Sequence, residues 1–337
     1  MVVELTLACT EYDWTRPLWD GTVEPEGIDL HVVDYHNPER FARMIEYGAF
    51  DVCEMSLGSY LAARATEAEC PFTAIPVFPY RRFRHSFIYR RATDEFTLSE
   101  LNDKTVGLIH WQTTTGIWQR GIAREHYGVD LETVTWHTTK SEGDVVSIEI
   151  PDRYDVVHDH RAGSTSELFA SMLQRGEIDA AFSTAPLTPR VADGRHDDPG
   201  RLQEPNVDGV ERIFEDAMQV EQEYYRETNI FPPMHTVVIS DEVLDAYPWV
   251  ANKLYDAFDR ALQICMDRLT KPRWFPLAWA NQHLEHQRDV LGENPWAYGL
   301  TDETRTALTT LQEYAANQGI IAEPDDIDDL FVDATLR

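Results

Sequence analysis

The sequence predicts an α/β protein of two lobes with a helical C-terminal segment, and three observations carry that prediction. Strand-like and helix-like stretches alternate through the first two thirds of the 337 residues, the pattern of βα units on an open sheet. A short pattern occurs twice, as GAFDVCEMS (48–56) and GEIDAAFST (176–184), and the interval from Gly48 to Gly176 equals that from Asp51 to Asp179. The last third reads almost wholly as helix. A chain of this length can build two cores.

In chain order, VELTLAC is apolar at alternate positions and reads as the first strand. Asn37 and Pro38 predict a helix start, with asparagine as cap and proline in the first turn, and the helix ends at Gly48. FDVCEM is a short strand, and Ser56 can cap the helix LGSYLAARATE. FTAIPVF and HSFIY are strand-like. KTVGLIH is a further strand, leading through WQTTTG into a helix that stops near Gly128. SELFASMLQRG opens on the capping box Ser164–Glu167 and ends at Gly176, before the strand IDAAFST. In both copies of the repeated pattern a helix-ending glycine precedes an aspartate, a short apolar strand and a hydroxyl. Such strand ends form the ligand crevice of open α/β sheets. Beyond the strand MHTVVIS, three helices follow: PWVANKLYDAFDRALQICMDRL, LAWANQHLEHQRDVLG and TDETRTALTTLQEYAANQG. They are expected to pack on the first lobe.

The charge balance excludes some partners. Asp and Glu number 59 against 29 Lys and Arg, a formal charge of −30. Only Lys104, Lys140, Lys253 and Lys271 are lysines, and the acids are dispersed. This is the surface of a halophile's protein, soluble where salt screens repulsion; a cationic partner is the alternative. Nucleic acid is disfavoured as a partner, because phosphate binding needs a basic face. No stretch approaches the ~20 apolar residues of a membrane span. Cys9, Cys53, Cys70 and Cys265 lack CxxC spacing and read as reduced thiols. The start carries no basic n-region, so a cytoplasmic location is expected. A homo-oligomer is compatible with everything in the sequence.

One segment opposes the global charge. From Cys70 to Thr93 there is no acid, but there are Arg81, Arg82, Arg84, Arg90, Arg91 and His85. As a strand, RHSFIYRR would point Arg84, Ser86 and Ile88 to one face and His85, Phe87 and Tyr89 to the other. Arginine's planar fork suits a carboxylate ligand, which makes Arg81 and Arg84 candidates for an anion pocket. Arg90 and Arg91 are expected to pair with surrounding acids. Gln112, Thr113, Thr114 and Thr115 would ring an anion at a helix N-terminus, or Thr113 is simply a cap. His235 either returns to the crevice or packs inside. The pairs His158/His160 and His283/His286 each share a face but lack a third ligand. No cofactor is expected, a divalent metal at either pair being the lesser reading. There is no GxSxG elbow and no nucleotide-binding glycine spacing.

The runs LACTEYDWTRPLWDGTVEPEGIDL, FDVCEMSLGSYLAAR, FTAIPVFPYRRFRHSFIYRR, NIFPPMHTVVI and NPWAYGL together resemble the 4,5-dihydroxyphthalate decarboxylase family. The resemblance covers nearly the whole chain, with EMSLGSY and FRHS its most specific pieces; WHTTKSEGDVV and RVADGRHDDPGRLQ carry no part of it. It implies a type 2 periplasmic-binding-protein-like fold. Lobe 1 would comprise residues 1–88 and 236–337, lobe 2 residues 89–235, with HSFIYRR and MHTVVIS as crossover strands. A ligand cleft would lie between the lobes, with His85 and His235 at its floor.

The implied reaction removes CO2 from a hydroxylated aromatic dicarboxylate, leaving a dihydroxybenzoate. In such a ring each carboxylate-bearing carbon lies para to a hydroxyl, so ionising that phenol drives electron density to the departing group. The resemblance then implies Arg81 and Arg84 as carboxylate clamp, His85 as general acid with His235 in reserve, and Glu54 as phenol partner. Glu54 can instead be a strand-end acid paired with Arg84. Tyr12, Asp13, Ser56, Ser59, Ser86, Gln112, Thr113, Thr114 and Ser183 would complete the pocket. The rival is a non-catalytic receptor for a small organic anion, since the fold serves both; another aromatic-acid decarboxylase is the second.

Overall fold

A computed structural model describes residues 2–66, 70–161, 163–187, 207–271 and 276–332; the stretch RVADGRHDDPGRLQ lies outside them. The chain divides into two compact units. Unit 1 comprises Met1–Arg82, Tyr225–Thr310 and Pro324–Arg337, and unit 2 comprises Phe83–Tyr224 and Leu311–Glu323.

Unit 1 begins with β1 (Val3–Ala8), α1 (Arg16–Trp19), β2 (Ile28–Val33), α2 (Glu39–Tyr47), β3 (Val52–Ser56), α3 (Leu57–Thr66) and β4 (Phe72–Ile75). Unit 2 follows with β5 (Ile88–Arg91), β6 (Thr105–Leu108), α4 (Thr114–Tyr127), β7 (Thr135–Thr138), β8 (Asp155–His158), α5 (Thr165–Arg175), β9 (Ala180–Phe182), β10 (Val210–Arg212) and α6 (Ala217–Thr228), whose last turn enters unit 1. The chain then forms β11 (His235–Ser240), α7 (Asp241–Ala246), α8 (Val250–Leu269), α9 (Ala280–Leu291) and α10 (Asp302–Asn317).

The sheet of unit 1 runs β2-β1-β3-β11-β4. β1 is parallel to both β2 and β3, and β11 is antiparallel to β3 and β4. β3 is buried at all five positions and β11 at five of six, as central strands must be. The sheet of unit 2 runs β10-β5-β9-β6-β7-β8. Here β6 is parallel to β7 and β9, while β5 is antiparallel to β9. Each sheet thus has a point where the parallel order reverses, between β1 and β3 and between β6 and β9. The open ends of these strands are where ligands of such sheets bind.

The repeated sequence pattern is the same device in both units. Gly48 and Gly176 end α2 and α5 in the left-handed region, at φ 55° and 69°. Gly48 is followed by Ala49, Phe50 and then Asp51, whose Oδ2 accepts the Thr6 N–H of β1 at 2.8 Å. Asp179 Oδ2 accepts the Thr105 N–H of β6 at 2.9 Å in the same way. Each aspartate therefore pins the strand it precedes to the strand beside it.

Three local expectations are corrected. HSFIY is not a continuous strand: His85–Phe87 is a 3-10 turn and the strand starts at Ile88. A turn of about three residues per revolution does not alternate its side chains, so Arg84, His85 and Phe87 are all buried. The Ser86 N–H leaves the ladder and donates to Glu221 Oε1 at 2.9 Å. Asn37 does not cap α2. Pro38 holds the cap position, no side chain caps the helix, and the Arg40 N–H donates to the His36 carbonyl. Thr113 is the N-cap residue of α4, but its side chain makes no capping bond.

Of the C-terminal helices, α8 buries Val250, Leu254, Phe258, Ala261 and Leu262. α10 runs from unit 1 into unit 2, where the Tyr314 ring lies over Gly121 of α4. Among the described residues, no helix is long and apolar enough to cross a membrane.

Candidate functional site

At the open ends of β1 and β3, beside the start of β11, unit 1 gathers a buried cluster around Glu54. β3 carries Glu54 inward at zero exposure. Antiparallel pairing sets Val237 opposite Glu54 and His235 opposite Ser56, which brings the His235 ring back along β3. His235 Nδ1 lies 2.5 Å from Glu54 Oε1, and Tyr12 Oη donates to the same oxygen at 2.8 Å. Glu54 Oε2 accepts the Thr10 N–H at 2.9 Å and Arg40 Nη2 at 2.9 Å. All four acceptor positions of the carboxylate are filled by the protein.

The charge state follows from these contacts. Burial alone would raise the Glu54 pKa. The Arg40 guanidinium, the His235 contact and the Thr10 N–H outweigh burial, and the group is held well below the usual carboxylate range. An ionised carboxylate only accepts, so His235 carries a proton on Nδ1. Burial and then the Glu54 charge push the Tyr12 phenol well up, so it stays a donor. Burial and Glu54 also keep the Cys9 thiol protonated. Arg40, itself at zero exposure, further donates to the carbonyl of Glu54 at 3.1 Å and to Thr10 Oγ1 at 3.1 Å.

Aromatic rings line this cluster. Tyr12 stacks on Trp14 at 4.8 Å and on Tyr80 at 5.9 Å. Tyr80 and Phe41 stand 5.1 Å and 5.3 Å from the His235 ring. Trp14 packs on Trp296 at 4.9 Å. Ser56 and Ser59 are buried at the β3–α3 junction, the Ser59 N–H donating to Ser56 Oγ at 3.3 Å. Asp13 points outward, paired with Arg16 at 3.5 Å. Arg81 is buried in unit 1. It donates to the carbonyls of Phe231 (3.3 Å) and Ala297 (3.4 Å) and to Thr304 Oγ1 (3.1 Å).

The remaining predicted residues lie in unit 2. Arg84 is buried and donates to the Thr184 carbonyl at 3.0 Å. Glu54 therefore pairs with Arg40, not with Arg84, because α2 presents Arg40 directly over β3. His85 is 1% exposed within the rings of Tyr224 (5.1 Å), Phe214 (5.8 Å) and Tyr127 (6.5 Å), and among the described residues neither ring nitrogen has a hydrogen-bond partner. Burial, then His126, lowers its pKa to about 4, so the ring is neutral. Ser183 Oγ donates to the Ala185 carbonyl at 2.7 Å. The Gln112 amide is engaged within the protein. Its Nε2 donates to Glu142 Oε2 at 3.2 Å and to the Val146 carbonyl at 2.5 Å, and its N–H donates to the same carboxylate. Glu142 thus occupies the position expected for a ligand anion. Thr114 is buried in the first turn of α4. Arg90 pairs with Glu211, and Arg91 with Asp94 and Asp179, as expected of arginines in an acidic chain. Among the described residues no group of three His, Cys, Asp or Glu is placed to hold a metal ion.

No family model matches the sequence. The chain is 29% identical over 307 residues to 4,5-dihydroxyphthalate decarboxylase of Comamonas testosteroni, covering 89% of this chain and 88% of that protein. To 4,5-dihydroxyphthalate decarboxylase of Pseudomonas putida it is 32% identical over 183 residues, 53% of this chain and 70% of that protein. The chain belongs to the 4,5-dihydroxyphthalate decarboxylase family. Its fold is shared with binding proteins and enzymes alike. The periplasmic aliphatic sulphonate binding protein SsuA from Escherichia coli superposes with a TM-score of 0.56 at 11% identity, covering 98% of this chain and 91% of that one. The desulfurization enzyme DSZB superposes with a TM-score of 0.54 at 13% identity, covering 98% and 96%. The predicted periplasmic-binding-protein-like class is therefore the fold of this family member.

Arg40 and Thr10 escaped the sequence reading of this member of the decarboxylase family. Arg40 sits in NPERFARM, an ordinary exposed-looking helix start. Only the crossing of α2 over β3 reveals that it is the counter-charge of Glu54.

Proposed function

We propose that this protein decarboxylates a hydroxylated aromatic dicarboxylate of the 4,5-dihydroxyphthalate type, releasing CO2 and a dihydroxybenzoate. The observation that carries the reading is the His235–Glu54–Arg40 chain, in a family whose curated members bear that activity's name. Nδ1 is committed to Glu54, so a proton that the ring delivers leaves from Nε2. The ionised Glu54 stabilises the imidazolium from which that proton is taken, and Arg40 keeps Glu54 ionised. His235 is thus assigned as proton donor to the ring carbon. The bond from that carbon to the carboxylate breaks, its electron pair returns to the ring, and CO2 departs. Glu54 and Arg40 are positioning residues. With its acceptor positions filled, Glu54 orients the histidine and does not serve the substrate phenol. The hydroxyl para to the reacting carbon gives its proton to solvent, and the phenolate so formed supplies the electron push.

The test is CO2 release from 4,5-dihydroxyphthalate by the purified protein. His235→Gln is expected to lower kcat by about 10²–10⁴-fold, the usual contribution of a general acid. Tight binding of 4,5-dihydroxyphthalate without CO2 release would make the protein a receptor and overturn the reading.

A further inference from the structure

Two polar atoms of unit 1 are buried and unpartnered beside the His235 cluster. Tyr298 and Arg81 are each 5% exposed, and among the described residues neither the Tyr298 Oη nor the Arg81 Nε has a hydrogen-bond partner. Leaving such groups unpaired costs about 1–3 kcal/mol each, so each calls for an explanation: a bound ligand, an internal water or strain.

The two are held together by the backbone. Arg81 Nη2 donates to the carbonyl of Ala297, the residue preceding Tyr298. The next residue, Gly299, donates its N–H to the Pro76 carbonyl at 2.8 Å. Gly299 has φ 96°, and a Cβ there would stand 3.1 Å from Tyr255 Oη, so the NPWAYG segment turns at the one residue type that fits. On its other side the arginine strand joins the histidine. Arg81 bridges Pro233, and the N–H groups of Met234 and His235 donate to the Tyr80 carbonyl at 2.8 and 3.3 Å. Burial, and then the Cys9 thiol, push the Tyr298 phenol well up, so it stays a donor. Among the described residues no carboxylate pairs with Arg81, and burial lowers its pKa to about 10, which leaves it cationic at neutral pH.

We propose that Tyr298 Oη and Arg81 Nε together take the carboxylate that the substrate keeps, making Tyr298 a specificity-determining residue for a dicarboxylated ring. An O–H and a guanidinium N–H can donate to the two oxygens of one carboxylate. The neutral phenol adds a donor without a second charge. This rests on the decarboxylase reading above, and it explains why a second carboxylate would be required when only one is lost.

The retained carboxylate is present in both substrate and product. Tyr298→Phe is therefore expected to raise KM for 4,5-dihydroxyphthalate and Ki for 3,4-dihydroxybenzoate by the same factor, about ten-fold, as for loss of one hydrogen bond to a charged group. Inhibition by catechol, which has no carboxylate, stays unchanged, and kcat changes less than two-fold. Equal weakening of all three ligands, or no weakening of any, overturns the proposal. The latter is the result if the two groups merely hold an internal water. Should Tyr298→Phe fail to fold, the ¹⁵N resonance of the Arg81 Nε–H in the wild-type protein decides. It is expected to shift with 3,4-dihydroxybenzoate and not with catechol, and a resonance indifferent to both overturns the assignment. A wild-type protein that binds but never turns over 4,5-dihydroxyphthalate defeats the decarboxylase reading alone.

Discussion

Arg40 and Glu54 form an ion pair from which water is excluded on both sides. Two charges without solvent depend on each other. Arg40→Leu is expected to cost about 3–5 kcal/mol, because it strands the carboxylate; urea unfolding measures it, and a loss below 1 kcal/mol would deny the pair its role. His85 and His110 provide a separate residue-scale test. Burial is the main cause that brings each to about 4 from an ordinary value of 6.5. Between those values the unfolded chain binds protons that the folded chain refuses. Stability contributed by the neutral rings is therefore present above pH 6.5 and is lost as pH falls through this window, levelling off below 4. His85→Phe keeps the aromatic nest and removes one titrating ring. Its unfolding free energy should fall less steeply than the wild type's between pH 7 and pH 5, and an identical slope would refute the assignment.

At the scale of elements, close approach of α4 and α10 depends on one missing methyl. A Cβ on Gly121 would lie 1.9 Å from the Tyr314 ring. Gly121→Ala forces the helices apart and should destabilise by roughly 1–3 kcal/mol or more, read as a lowered urea midpoint; an unchanged midpoint would show that the contact adapts. Elements were also what the sequence disclosed best. Gly48, Gly128 and Gly176 marked helix ends because the left-handed residue after a helix favours glycine, and the paired Gly–Asp pattern marked equivalent strands. The turn at His85–Phe87 was not legible, since HSFIY has strand-like residues and the group that accepts its Ser86 N–H is Glu221, far away in sequence. The site was half legible for the same reason. His235 opens β11, Glu54 lies on β3 and Tyr12 follows the end of β1, near the crevice to which the strand pattern points. Arg40 acquires meaning only through the crossing of α2, and Gln112 loses its expected availability only through Glu142.

Across the whole molecule, charge is the largest departure from an ordinary globular protein. A formal charge of −30 on 337 residues repels itself in the compact state. The Debye length shrinks from about 10 Å at 0.1 M salt to about 3 Å at 1 M. The melting temperature is therefore expected to rise substantially between ~0.1 M and ~2 M KCl, and a salt-independent transition would exclude salt adaptation. The described ion pairs, such as Lys253–Glu26 and Arg305–Asp328, are mostly at the surface and would weaken over the same range, so a net gain would report relief of repulsion.

The position of β11 between β3 and β4 has a consequence for biosynthesis. Residues 3–75 supply four strands, yet β4 has no neighbour until residues 235–240 emerge. All six strands of the other sheet have been synthesised by residue 212. The nascent polypeptide must therefore carry an incomplete N-terminal sheet through most of translation, while the middle of the chain can assemble its strands first. Released fragments ending near residue 225 should protect the middle segment from protease and leave β4 open to cleavage.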